Sequence, residues 1–427
     1  MKILFISDEP IRNDTSVGNT FLNLFKNFED VELACICTRN GAPDEMIKKC
    51  YCITEKMIVK SIFGKGPAGI IVEERRRKYV DSTVEQSTLV RYVKKLRWTV
   101  FFWMQNIVWR TGKWKNESLK SFLDDFSPDL VFTYLSNCEY LNYLILHIKE
   151  ITNKGLVVYA WDNNYSLRQV YISPLRWLRR ILERKYMHKV VDKANLFYVI
   201  SNVQKNDYER AFNRECKVLT KSACFSEQIV TKRSYNKPLQ LVYTGNIALN
   251  RWKSLAYIAN VLEKINSNGV KAQLRIYTGN TLTKKMLKTL NKGDSSFFIG
   301  SVSADKIKDI QNDADMLVHV EALDLKNKLT VRQSFSTKIV DYLAASRPIL
   351  AFGPKDVASI EHFIINDCAI VADNEDELYD KLCAVIDNKC KLNELSLKAF
   401  ECGKKFHNKE DIDNMLRNDL EQLIKGV

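Results

Sequence analysis

The stretch Gln333-Ser334-Phe335-Ser336-Thr337-Lys338-Ile339-Val340-Asp341-Tyr342-Leu343-Ala344-Ala345-Ser346-Arg347-Pro348-Ile349-Leu350 reads as a polar loop, a short helix and a strand opened by Pro348. Ser334 and Ser336 are candidate helix caps, and Ile339, Val340, Leu343 and Ala344 share one helical face. Lys338 and Asp341, three residues apart, share another. A helix start of small hydroxyl residues offers unpaired N–H groups and the positive end of the dipole, so the run from Ser334 to Lys338 is a candidate anion site. An acid one turn further in can accept hydrogen bonds from sugar hydroxyls. Phosphate on the helix tip and ribose on Asp341 make a coherent nucleotide site. The alternative is an ordinary strand–helix unit in which Lys338 and Asp341 form a weak surface ion pair.

Strand–helix alternation surrounds this stretch. A strand over Leu241–Thr244 ends in Gly245 and Asn246, and Arg251-Trp252-Lys253-Ser254 opens a helix. Cations at a helix start oppose the macrodipole, and a bound anion resolves the conflict; the planar fork of Arg251 suits a diphosphate. Further strands are expected at Gln273–Gly279, Phe297–Gly300, Asp315–Glu321 and Pro348–Phe352. Glu321 then closes its strand beside Gln333, and could supply a carboxylate there. His319, inside that strand, reads as a core residue.

The first half opens with a buried strand, Lys2–Ser7, then a loop and a helix with Phe21, Leu22, Leu24, Phe25 and Phe28 on one face, the first unit of a Rossmann-like domain. No GxGxxG follows, so nothing points to NAD. Val31–Thr38 is the second strand, after which residues 57–115 form an irregular insertion with the charge run Glu73–Lys78. Its later part interleaves Arg91, Lys94, Lys95, Arg97, Arg110, Lys113 and Lys115 with Trp98, Phe101, Phe102, Trp103, Trp109 and Trp114. Three readings stay open for it: an amphipathic element on an anionic membrane, a helix hairpin in the core, or a stacking surface for single-stranded nucleic acid. Alternation resumes at Phe126–Phe132, and the strand Leu156–Trp161 delivers Asp162, Asn163 and Asn164 at its carboxyl end, where active groups gather in open sheets. Pro174–Lys193 is a second basic amphipathic helix, and Asn195–Ile200 a further strand. A linker is read near 223–238.

Lys and Arg number 65 against 51 Asp and Glu, a net charge of +14, which favours an anionic partner. Nucleic acid is not expected, because the charge is dispersed and no nucleic-acid-binding motif accompanies it. Eleven cysteines without CxxC or Cys/His zinc spacing read as reduced buried thiols. The initial apolar run is too short for a signal peptide, and no apolar span has transmembrane length. The expected location is cytoplasmic, with peripheral attachment to the inner face of the membrane.

In these motifs the chain resembles GT-B glycosyltransferases of the family 4 type, the glycosyl transferases group 1. Gln333 and Asp341 stand where that family has two glutamates flanking seven residues, so both acids are altered here. Gly245-Asn246 and Arg251 align with a Gly-Arg-Leu…Lys-Gly motif; Pro128-Asp129-Leu130, Ile200-Ser201 and Ala314-Asp315 match further family strands. The resemblance implies an α/β GT-B fold, two Rossmann-like domains facing a central cleft. The expected division is 1–225 for an acceptor domain, 226–239 for a linker, 240–408 for a nucleotide-sugar domain, and 409–427 for a helix returning to the first domain. It implies transfer of a sugar from a nucleotide-diphosphate donor to a saccharide or lipid-linked saccharide acceptor. Retention of configuration is expected, with no metal or other cofactor, in synthesis of bacterial capsule or another surface polysaccharide. Donor-binding residues would be Gly245, Asn246, Arg251, Lys253, Glu321, Gln333, Ser334, Phe335, Ser336, Thr337, Lys338 and Asp341. Catalysis would fall to Asp162, Lys338 and Arg251, and the acceptor cleft to Gly18, Asn19, Asp162 and Asn163. Gly18 with Asn19 could equally be a helix-start turn, and Asp162 a turn cap. A sugar-nucleotide epimerase or an inactive membrane-associated scaffold are the competing expectations.

Overall fold

The structure, a computed structural model, describes residues 1–72, 99–227, 229, 232 and 234–426, with only the backbone described for 99–101 and 304. The charge run at 73–78, the bases Arg91, Lys94, Lys95 and Arg97, Trp98, the Phe101 side chain, Gln228 and Arg233 lie outside the described residues.

Among the described residues the strands form two sheets. The first contains β1 (Lys2–Ser7), β2 (Glu32–Cys37), β3 (Ile47–Cys52), β4 (Ile70–Ile71), β5 (Leu130–Tyr134), β6 (Gly155–Ala160), β7 (Leu196–Val199) and β8 (Lys217–Val218), in the order β4-β3-β2-β1-β5-β6-β7-β8. All pairings are parallel except β3 with β4. The second contains β9 (Leu239–Thr244), β10 (Ala272–Tyr277), β11 (Ser296–Gly300), β12 (Met316–Val320), β13 (Ile349–Phe352) and β14 (Ile370–Ala372), all parallel, in the order β11-β10-β9-β12-β13-β14. Central strands such as Leu130–Tyr134 and Met316–Val320 are buried at every residue, as a parallel sheet covered by helices on both faces requires. Strand order reverses between β1 and β5 in one sheet and between β9 and β12 in the other, and loops leaving these switch points diverge to open a crevice.

Asp315, fully buried just before β12, pins the linker to the second sheet by accepting from Lys232 Nζ (2.5 Å), Asn236 Nδ2 (2.9 Å) and the Gln240 N–H (2.8 Å). The helix Lys409–Lys425 returns to the first sheet, where Ile412, Leu416 and Leu420 join its core. Asp419 on that helix accepts from Tyr198 Oη at 2.7 Å and pairs with Lys217 at 2.6 Å.

The described end of the insertion follows the core-hairpin expectation in part. Its helix Thr99–Thr111 packs against the helices Glu55–Ile62 and Glu139–Thr152. Trp109 and Trp114 are 1% and 2% exposed, with Trp109 stacked on Tyr140 at 5.1 Å and donating Nε1–H to Glu55. Phe102 lies beneath the Arg179 guanidinium at 3.5 Å. These aromatics face inward because a hydrophobic seam between three helices is available to them. The alternation also continues through β3, one strand beyond the second strand read from sequence.

Leu420→Ala removes a fully buried side chain between the returning helix and the first sheet, and is expected to cost about 2–5 kcal/mol. Urea denaturation followed by circular dichroism reads this directly; a loss below about 1 kcal/mol would mean that the helix does not hold the first domain.

Candidate functional site at the second switch point

Strand β9 ends at Thr244, and the chain turns at Gly245 with φ +152°, a conformation in which side chains are strained. The aliphatic end of Lys338 runs directly over this glycine: a Cβ there would sit 1.6 Å from Nζ. The ammonium lies 5.7 Å from the Tyr243 ring. Among the described residues it makes no hydrogen bond or ion pair. Burial pulls the Lys338 ammonium down to about 8, and the Arg251 charge pulls the same way while Glu321 and Asp341 oppose.

Arg251 opens the helix Arg251–Ile265 and reaches to the end of β12, where Glu321 accepts Nε–H at 2.9 Å and Nη2–H at 3.0 Å. The anion expected to relieve the cation at this helix start is therefore Glu321, in the chain itself. Glu321, expected to supply a carboxylate beside Gln333, thus already holds a cation of the chain. Burial pushes the Glu321 carboxyl up, against Arg251; Arg251 stays charged because Glu321 outweighs its own burial. His319 Nε2 lies 3.6 Å from Glu321, and burial, with the Arg251 and Lys338 charges, holds that imidazole down at about 3. It is neutral, a core residue as read from sequence.

Beside Lys338, a cavity of about 330 Å³ opens at the carboxyl ends of β9, β10 and β11, lined by Gly245, Asn246, Thr278, Gly279, Asn280 and Ser301 among others. Asn280 Oδ1 accepts from the Ile247 N–H at 2.8 Å and from Thr278 Oγ1 at 3.0 Å, fixing its floor. Thr278, Gly279, Asn280 and Ser301 were missed in the sequence; their signal was the Tyr-Thr-Gly-Asn and Gly-Ser-Val-Ser turns that follow two adjacent strands. Lys253 does not line the cavity; its Nζ lies 5.8 Å from the Trp252 ring.

The signature loop is divided between the two domains. Ser334 Oγ donates to Asp162 Oδ1 at 3.3 Å, which joins the candidate base of the first domain to the signature of the second. Asp162 is open to solvent within the cleft, yet surrounding protein desolvates its carboxyl and raises it, with Ser334 pulling back. Its backbone carbonyl, held by Gln204 Nε2 at 3.0 Å, fixes the turn. Neighbouring Asn163 is buried and donates Nδ2–H to the Leu329 carbonyl of the second domain at 2.9 Å.

Other expected donor residues have different partners. Gln333 is buried, gives its side-chain amide N–H to Asp207, and its backbone carbonyl accepts from Ser201 Oγ at 2.7 Å. Phe335 is buried against His407, its ring stacked at 5.5 Å. Asp341 holds Lys221 Nζ with both oxygens, at 2.7 and 2.8 Å. The helix is Lys338–Ala344 with Thr337 at the cap position and no side-chain cap bond, so neither Ser334 nor Ser336 caps it; the Ser336 N–H goes to Ser359 Oγ. Gly18 lies inside the helix Ser16–Phe25, capped by Thr15, where the Arg12 backbone would collide with a Cβ at 2.1 Å. The helix-start reading holds there, and Asn19 bonds Asn23 on the same helix. At the first switch point Asp8, not singled out in the sequence, accepts from Tyr134 Oη and pairs with Arg39 at 2.7 Å.

Residues 238–388 match the family model Glycosyl transferases group 1, so this part of the chain is similar to the domains of that family. No curated protein matches by sequence. Among solved structures, Anabaena HepE in complex with UDP superposes with a TM-score of 0.62 at 13% identity, covering 99% of this chain and all of that one. Sucrose-phosphate synthase from Thermosynechococcus elongatus gives 0.60 at 12% identity over the whole of both chains. TarM gives 0.61 at 12%, covering 98% of each chain. The fold is GT-B.

A diphosphate anion at Lys338 binds best while the ammonium is charged. Nucleoside-diphosphate affinity by calorimetry is expected to be greatest between about pH 7 and 8, where the terminal phosphate (pKa about 6) is ionised and Lys338 is still charged. It should fall by about tenfold or more at higher pH as the ammonium charge is lost. Lys338→Gln should flatten the high-pH fall; an unchanged profile would remove Lys338 from the anion site.

Proposed function

We propose that the chain moves a sugar from a nucleoside-diphosphate sugar to a hydroxyl of a saccharide or lipid-linked saccharide. The observation that carries this reading is the lone ammonium of Lys338 over Gly245, at the rim of a nucleotide-sized cavity within the domain similar to that family. The cavity takes the base. Lys338 meets the leaving diphosphate, where most negative charge develops as the glycosidic bond breaks. Arg251 acts on Glu321, orienting its carboxylate and screening its charge from the donor. Asp341 takes the ribose hydroxyls, while Lys221 stays beside it as counter-charge.

On the other side of the cleft, Asp162 receives the acceptor proton. Its raised carboxyl is a stronger base than an ordinary surface aspartate, and Ser334 aims one oxygen. We assign no nucleophile to the enzyme; the reaction is proposed as retaining and independent of metal. HepE was solved with UDP and with UDP-glucose, which makes UDP the first nucleotide to test. A place in surface polysaccharide synthesis, capsule included, at the inner face of the membrane is supported by the +14 charge. One observation favours the scaffold reading instead: Gln333 and Asp341, at the two positions of the acid pair, are both committed to protein partners.

A thermal-shift series with UDP, GDP, ADP and CMP, each with and without EDTA, separates these. The transferase reading expects a shift with one nucleoside diphosphate that EDTA leaves unchanged, and turnover lowered by about 10²–10³ in Lys338→Ala. A shift without turnover on any acceptor favours the scaffold; no shift with any nucleotide overturns both nucleotide-binding readings.

A further inference from the structure

The stretch from Leu167 to Val190 contains seven Arg and Lys residues and a single acid, Glu183. Glu183 is buried and accepts Nε–H from Arg179 at 2.5 Å, so it does not offset charge at the surface. The helix Pro174–Lys193 occupies most of this stretch. Its inner face is set by Met187, Val190 and Val191, with Arg180 buried on the carbonyls of Asn163 and Ser166. Its outer face is unusual for a soluble surface. Leu175, Leu178 and Ile181 are about half exposed at 48, 47 and 56%, and Ile172, just before the helix, is 99% exposed. Arg176, Lys185 and Lys189 are exposed among and beyond them.

An apolar row at i, i+3, i+6 ringed by cations of one sign fits a surface that is apolar inside and negative at its boundary. A protein partner would need a matching acidic rim around an apolar centre, whereas an anionic bilayer presents both everywhere. We infer that this face of the helix Pro174–Lys193, with Ile172 ahead of it, seats the protein on an anionic lipid surface. The leucines and isoleucines enter the headgroup boundary and the cations lie among the phosphates. Arg180 ties the same helix to the turn that carries Asp162 and Asn163. Lipid bound here therefore lies beside the acceptor side of the cleft. The inference depends on this surface alone, and its failure would leave the transfer reaction untouched.

Co-sedimentation of the full chain with phosphatidylcholine vesicles, with and without phosphatidylglycerol, tests it. Binding is expected only with phosphatidylglycerol and should weaken as salt rises. The triple variant Arg176→Gln, Lys185→Gln, Lys189→Gln should bind on the order of a hundredfold more weakly. Leu175→Ser, Leu178→Ser, Ile181→Ser, all at exposed positions, should lose about tenfold or more while keeping the circular dichroism of the parent. Three results would each overturn the inference: parent protein left in the supernatant, either variant binding like the parent, or a dimer in sedimentation velocity that the apolar variant dissolves.

Discussion

The pair between Arg251 and Glu321 organises the candidate site. It bridges the helix after β9 and the end of β12, the two strands on either side of the switch point, with two hydrogen bonds in a fixed plane. Such a buried pair adds little net stability, because desolvation offsets most of the attraction, but it fixes geometry. It also sets the local charge. Arg251 and Glu321 cancel, His319 is held neutral by burial, and the positive charge left beside Gly245 is that of Lys338. Glycine at 245 is the condition for this, since any side chain would occupy the space of the ammonium.

Around this centre the two domains are stitched through one loop. Arg332 and Gln333 both reach Asp207, Ser201 holds the Gln333 carbonyl, Asn163 holds Leu329 and Ser334 reaches Asp162. All five contacts join residues far apart in sequence, and on the first-domain side they lie just after β6 and β7 or on the helix Asn202–Phe212 that follows β7. The consequence is functional: the loop that leads into Lys338 is positioned by the domain that holds the candidate base.

The first domain is lopsided. Its aromatic-rich helix Thr99–Thr111 turns its tryptophans inward, whereas the helix Pro174–Lys193 turns leucines and isoleucines outward. Both lie in stretches that are basic and amphipathic in sequence, so composition alone assigns them the same role. The difference arises from neighbours: three helices meet around Trp109, and among the described residues none covers Leu175 and Leu178.

What the sequence determined by itself was local. Apolar runs of β length, Pro174 at a helix start, Pro348 before a strand and glycine after β9 specify the elements and their order, because strand and helix periodicity act over a few residues. That reading reached the α/β alternation and the second sheet almost strand for strand. Tertiary structure alone decided which charges were already spent. Arg251 found Glu321 70 residues away, Asp341 found Lys221 120 away, and Gln333 found Asp207 126 away. An ion pair or hydrogen bond needs its partners within about 4 Å, and only the folded chain brings such distant residues that close.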